Sequence, residues 1–273
     1  MSAGAPDFAQ LKAAQKAAWM AGDFGQIAAH AAKAAEEFVA RTAIARGTRV
    51  LDVACGTGNT AIPAARAGGV VTGLDIAPNL LEQARQRASA EQLEIKFQEG
   101  DAEQLPYPAG SFDVVLTMFG AMFAPRPEQV AAELLRVCHS GGLIAMANWT
   151  PQGFVGKTFQ FTAKMVPPPP GVPAPVLWGD EETVRQRFAK GVSNLSLTRR
   201  KVSLDYPFPP NEVVAFFRQY FGPTQTAFQR LDPGGQATRW LPVSSLCGKS
   251  TTGRAASEPS VEVEYLDVRA IRA

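Results

Sequence analysis

Cysteine and histidine are scarce: the chain has three cysteines and two histidines in 273 residues. Cys55, Cys138 and Cys247 are too scattered for a disulfide framework, and no C-x-x-C pair offers a zinc site, so no metal is expected. No run of about 18 apolar residues occurs anywhere. The N-terminus also lacks a basic stretch followed by an apolar one. These absences lead to the expectation of a soluble, cytoplasmic protein with free thiols and no membrane span. Neither sign of charge dominates, since 27 Lys and Arg oppose 25 Asp and Glu. The balance shifts along the chain, from 12 basic against 15 acidic residues in the first 150 to 15 against 10 in the rest. Arg199, Arg200 and Lys201 form the only tight basic cluster, and strand alternation would divide it between two faces. A nucleic-acid partner is therefore not expected.

The remaining residues favour a layered α/β domain, with 46% hydrophobic content to fill its core. Val50 to Gly58 reads VLDVACGTG, a β-forming run that enters a turn of small residues. Ala54, Gly56 and Gly58 remove the side chains that would keep a ligand off the backbone. Asp52 is an acid inside an otherwise apolar strand and needs a polar partner, either the turn itself or, through water, a bound ammonium. A second strand over 70–74 ends at Asp75, about 20 residues past the turn, where a carboxylate can accept both hydroxyls of an adenosine ribose. NAD and S-adenosylmethionine both meet that condition. The pyrophosphate fingerprint G-x-G-x-x-G is incomplete, because the turn is A-x-G-x-G followed by Asn59 and Thr60.

Periodicity predicts helices over 7–19 and 26–45, divided by Gly22 to Gly25. Strands are expected at 49–53, 70–74, 94–98, 112–117 and 143–148, with helices at 60–67, 78–90 and 128–138 between them. The proline-rich block 150–180 is not expected to be regular structure throughout and is expected to cap the site. A strand over 194–204, a helix over 210–220 and a final strand over 261–271 complete the reading, while 239–260 reads as a loop. The expected organisation is a helical lid over 1–46, a cofactor-binding core over 47–150, a cap over 151–190, and C-terminal strands and helix over 191–273 that complete the sheet.

Downstream of the turn come Gly100-Asp101-Ala102-Glu103, then LPYP, SFDVVLTMFG, a helix over 128–138, and Gly141-Gly142 before LIAMANW. In this order and spacing the chain resembles the class I S-adenosylmethionine-dependent methyltransferases. Within them it is most similar to the ubiquinone and menaquinone biosynthesis group, methyltransferase type 11. The likeness is close over Trp19 to Thr150 and looser beyond. It implies a Rossmann-like, doubly wound, seven-stranded sheet closed by a terminal antiparallel hairpin, and S-adenosyl-L-methionine as cofactor. It further implies that Asp101 and Ala102 meet the adenine, that Ile76 lies against one adenine face beside the ribose acid Asp75, and that Met118 packs near the sulfonium or adenine. Thr117, Phe119, Met122 and Phe123 continue that lining, and Trp19 and Phe24 flank the helix break beside it.

Methyl transfer by in-line displacement asks mainly for alignment and exclusion of water, so no catalytic residue is assigned. His30 is the best available base if it lies in the lid, whereas His139 precedes the fifth strand and faces away from the site. Nucleobase amine methylation is disfavoured, because its Asp/Asn-Pro-Pro-aromatic tetrapeptide is replaced by Thr117-Met118-Phe119-Gly120. Cytosine-carbon and arsenite chemistry are disfavoured because Cys55 has no base beside it and there are too few cysteines. With Phe154, Phe159, Phe161, Met165 and Trp178 in the cap, the expected partner is a small, hydrophobic or aromatic acceptor. An RNA or protein methyltransferase and a non-catalytic cofactor-binding regulator stay open as alternatives.

Overall fold

The computed structural model describes residues 6–165, 167–206, 208, 210–229 and 260–273. The chain enters through α1 (Phe8–Met20), α2 (Phe24–Ala29) and α3 (Ala32–Ala40). It then alternates β1 (Arg49–Val53), α4 (Ala61–Arg66), β2 (Val70–Asp75), α5 (Pro78–Ala90), β3 (Ile95–Glu99), β4 (Phe112–Met118), α6 (Pro127–Val137) and β5 (Cys138–Trp149). The remainder is α7 (Phe154–Met165), α8 (Glu181–Arg187), β6 (Val192–Asp205), α9 (Pro210–Tyr220), α10 (Gly222–Gln229) and β7 (Ser260–Arg272).

All seven strands form one sheet in the order β3-β2-β1-β4-β5-β7-β6. The first five run parallel, while β7 inserts antiparallel between β5 and β6, with Ala147 opposite Asp267 and Arg199 opposite Leu266. This is the Rossmann-like architecture with a closing antiparallel pair. The central parallel strands β1 and β4 are buried on both faces, and so read as nearly unbroken apolar runs. Strand order reverses between β1 and β4, which opens a crevice at their carboxyl ends where such sheets receive ligands.

Several expected boundaries shift for local reasons. The second N-terminal helix is two helices, interrupted at His30, whose Nδ1 lies 2.7 Å from the Asp205 carbonyl. Asp23 starts α2 two residues before expected by accepting from the Gly25 N–H. β5 begins at Cys138 rather than Leu143, with its register shifted between Phe112 and Val114 of its β4 partner. The block 150–180, expected not to be regular throughout, holds the twelve-residue α7 and a short 3₁₀ turn over Pro175–Gly179, with irregular chain between them. The proline run at 167–170 comes after α7, and Pro175 stands at the head of that turn, where the missing N–H costs nothing. The expected loop over 239–260 lies outside the described residues, apart from Ser260, which begins β7.

Candidate active site

At the crevice the β1 turn folds into a cavity of about 140 Å³. The turn itself supplies Ala54, Gly56, Thr57, Asn59 and Thr60; Asp75 and Ile76 follow from the end of β2. Asp101 and Ala102 line the cavity from the loop after β3, Met118 and Phe119 from the end of β4, and Lys12, Trp19 and Phe24 from α1 and α2 as a roof. Gly56 has a φ of +53°, and a Cβ there would point at the Phe24 ring 3.7 Å away, across the space the turn leaves open. Ala54 and Phe119 also adopt left-handed backbone, at φ +55° and +60°. A Cβ on Gly120 would stand 2.3 Å from the Ala54 carbonyl, so the two loops touch through backbone alone. Such local strain is concentrated where chain segments must meet a ligand closely.

Asp75 is 7% exposed, and its two oxygens accept from the Gly56 and Ala77 N–H groups at 2.8 and 2.9 Å. Each oxygen retains a lone pair at the cavity wall. Burial raises its pKa, and the N–H bonds oppose that shift. Asp52 does not line the cavity. It lies fully buried beneath the turn, where one oxygen accepts from Thr60 Oγ1 at 2.6 Å and the other has no partner among the described residues. Burial pushes the Asp52 carboxyl up to about 7. Gly58 is also withdrawn from the cavity. A Cβ there would contact Ala84 and Ile62, so this glycine packs the turn against α4 and α5.

Residues unflagged in the sequence contribute as much. Arg87 on α5 donates to the Thr57 carbonyl at 2.6 Å and to Asn59 Oδ1 at 2.8 Å, bracing the turn from behind. Lys12 Nζ stands 2.5 Å from Asp101 Oδ2 and also pairs with the buried Glu103. Both Asp101 oxygens are thus engaged, because Oδ1 accepts from the Glu103 N–H at 2.8 Å. No spacing rule links position 12 to position 101; only the tertiary fold brings them together. Of the expected aromatic lining, Trp19, Phe24, Phe119 and Phe123 face the cavity, whereas Met122 is buried away from it. Thr117 turns inward and accepts from the Ala121 N–H.

His30 lies outside the cavity lining, packed 4.5 Å from the Tyr206 ring. His139 is at the opposite end of the sheet, 3.3 Å from Asp113. Cys55 and Cys138 are buried free thiols. Burial and the nearby Asp52 and Asp75 push the Cys55 thiol well up, so it stays protonated. The basic cluster on β6 is neutralised in place: Arg199 pairs with Glu181, Arg200 with Asp267 and Lys201 with Glu262. Among the described residues no helix is long and apolar enough to cross a membrane, and no group of acids, histidines or cysteines is disposed to hold a metal.

Comparison with known proteins matches these features to a family. A family described as a methyltransferase domain matches residues 51–146, the stretch that contains the turn and the crevice. The uncharacterized protein Rv1403c of Mycobacterium tuberculosis is 41% identical over 233 residues, covering 84% of this chain and 85% of that one. Demethylmenaquinone methyltransferase of Deinococcus radiodurans is 44% identical over 124 residues, 44% of this chain and 52% of its own. In fold, the YcgJ protein of Bacillus subtilis superposes with a TM-score of 0.59 at 19% identity, covering 88% of this chain and 98% of its own. The methyltransferase-domain match, which begins at the β1 turn and runs into β5, together with the demethylmenaquinone methyltransferase likeness, assigns the molecule: it belongs to the class I S-adenosylmethionine-dependent methyltransferases and is an enzyme that uses S-adenosylmethionine as its cofactor.

Proposed function

We propose that the turn cavity holds S-adenosylmethionine and delivers its methyl group to a small, hydrophobic or aromatic acceptor. The observation that carries this reading is the joining, in one cavity, of a doubly anchored carboxylate at Asp75 and an aromatic wall at Trp19, Phe119 and Phe123. The residues suit the cofactor. Asp75 keeps two lone pairs for the ribose hydroxyls, Ile76 and Ala102 flank the adenine, and Met118 packs beside the sulfonium. Ala54 and Gly56 let the backbone meet the amino-acid end. Gly58 sets the turn by packing, and Asp52 acts from beneath it through Thr60 or a water. Asp101 reaches the adenine amine once Lys12 releases it.

Held by Asp75 and the β1 turn, the cofactor would supply an electrophilic methyl carbon on sulfur. The protein's share is alignment and exclusion of water. Neither histidine lines the cavity and the Cys55 thiol stays protonated, which favours an acceptor atom that is nucleophilic without a strong base, such as sulfur or activated carbon. The neutralised β6 cluster argues against nucleic-acid docking. Free buried thiols suit a reducing compartment, and we read the protein as cytoplasmic.

Calorimetric titration of S-adenosylhomocysteine tests the assignment. The wild type is expected to bind, and Asp75→Ala to weaken binding by about tenfold or more while its melting curve stays cooperative. Failure of the folded wild type to bind would sink the cofactor site.

A further inference from the structure

A second, larger cavity of about 390 Å³ lies next to the first. It is bounded by Phe154, Phe159 and Ala163 of α7 on one side and by Leu204, Val261 and Val263 of β6 and β7 on the other, with Phe217 and Phe221 closing one end. Its size falls within the roughly 300–1,000 Å³ range of small-molecule sites. Phe123 is the residue common to both cavities. Its ring stands edge-on to Trp19 at 5.2 Å on the first side and to Phe159 at 5.7 Å on the second. Phe221 extends the partition, 5.6 Å from Trp19 and 6.0 Å from Phe24. Gln15 of α1 donates to the Phe123 carbonyl at 2.9 Å, so the roof over the first cavity also fixes this partition.

The chemistry of the lining is one-sided. Among the described residues it contains no charged side chain. Its polar residues on α7 are engaged with backbone: Thr158 Oγ1 donates to the Phe154 carbonyl at 3.0 Å, Thr162 Oγ1 to the Thr158 carbonyl at 2.9 Å, and Gln160 Nε2 to the Pro151 carbonyl at 3.1 Å. A charged ligand group here would lose its hydration without a partner, and an isolated buried ion is costly. Hydrocarbon surface would gain about 25 cal/mol for each Å² removed from water.

Resting on the methyl-transfer reading above, we infer that the second cavity holds an uncharged hydrocarbon body of the acceptor, and that Phe123 sets the boundary at which its reacting atom meets the first cavity. The acceptor is then a neutral molecule with an alkyl or fused-ring body, not an amino acid, a nucleotide or a phosphorylated metabolite.

Two fluorescent probes with the same aromatic frame test this: neutral N-phenyl-1-naphthylamine and its sulfonated relative 8-anilinonaphthalene-1-sulfonate. The wild type is expected to bind the neutral probe one to one and about tenfold tighter than the anionic one. Binding should persist in saturating S-adenosylhomocysteine, because the cavities are separate. Ala163→Trp fills the cavity from the half-buried face of α7 and should weaken the neutral probe about tenfold. Thr162→Arg places a cation in the lining and should reverse the preference toward the sulfonate. Both variants should retain wild-type affinity for S-adenosylhomocysteine, which also confirms that they fold. Equal binding of the two probes, displacement of the neutral probe by S-adenosylhomocysteine, or indifference to both substitutions would overturn the inference. So would sedimentation of the wild type as a dimer that Ala163→Trp dissociates, since a second copy would then occupy the cavity. Probe binding with no S-adenosylhomocysteine binding would remove the acceptor role together with the cofactor reading, whereas failure of the probe arms alone leaves the cofactor reading standing.

Discussion

Asp52 makes the electrostatic character of the turn measurable at the scale of one residue. It is fully buried, and burial raises its carboxyl to about 7 against the opposing hydrogen bonds of the Thr60 hydroxyl and the Ala61 N–H. An unfolded chain releases that proton near pH 4. Between about pH 4 and 7 the folded state therefore holds a proton that the unfolded state lacks, so stability falls as pH rises through that window. The contribution is complete below the unfolded value and lost above the folded one. Asparagine keeps an acceptor for Thr60 and cannot ionise. Asp52→Asn is thus expected to flatten the fall in melting temperature from pH 5 to 8, followed by circular dichroism across a buffer series. A wild-type profile that stays flat through this range would show that the carboxylate ionises in place at no cost. From sequence, an acid inside an apolar strand already demanded a polar partner; that the partner is Thr60, eight residues on, became visible only when the turn had folded.

Among the elements, α1 matters most to the candidate site, because it is held over the first cavity by ion pairs. Lys12 bridges Asp101 and Glu103, and Lys16 pairs with Glu99. A cavity of about 140 Å³ is small for a nucleoside-bearing ligand, and α1 is the element that roofs it. Removing the Lys12 ammonium frees an Asp101 oxygen. Partly exposed pairs of this kind are worth about 0.2–1 kcal/mol, and Lys12→Met should therefore tighten S-adenosylhomocysteine by about two- to fivefold at low salt. The gain should shrink as salt rises, in calorimetric titrations at two ionic strengths; a loss of affinity would make Lys12 a ligand-binding group instead of a latch. Elements governed by local rules were legible in the sequence. The apolar strands, the glycine turn and α5, which starts at Pro78 as expected, needed only periodicity and end signals. Two helices were less so. α7 was hidden by the prolines that follow it, and the break between α2 and α3 depends on His30 meeting the Asp205 carbonyl 175 positions away. Long-range contacts of that sort leave no periodic trace.

For the molecule as a whole, the last strand in sequence is the second to last in space. β7 fills the gap between β5 and β6, so β6 joins the sheet through β7 alone. Asp267 in its middle ties three layers together. It is 2% exposed and pairs with Arg41 beyond α3 at 3.2 Å, Arg200 of β6 at 3.0 Å and Arg269 of its own strand at 2.6 Å. Arg41 also donates to the Tyr265 hydroxyl, and Arg269 lies over the Phe38 ring, so the network couples the N-terminal helices to the C-terminal strands. Replacing the acid by alanine leaves three guanidinium groups facing one another around an empty centre. The arginines are 19–38% exposed, so solvent takes up part of the loss, which leaves a cost of about 1–3 kcal/mol. For a chain of this size that corresponds to a fall of about 2–12 °C in melting temperature. Asp267→Ala should show that fall by calorimetry while its affinity for S-adenosylhomocysteine at 20 °C stays near wild type, because the network lies away from the cofactor cavity. Asp267→Asn keeps the shape and one acceptor and should recover part of the loss. A melting temperature unchanged in the alanine variant would mean that solvent already screens the three arginines, and that the final strand is held by its apolar face alone.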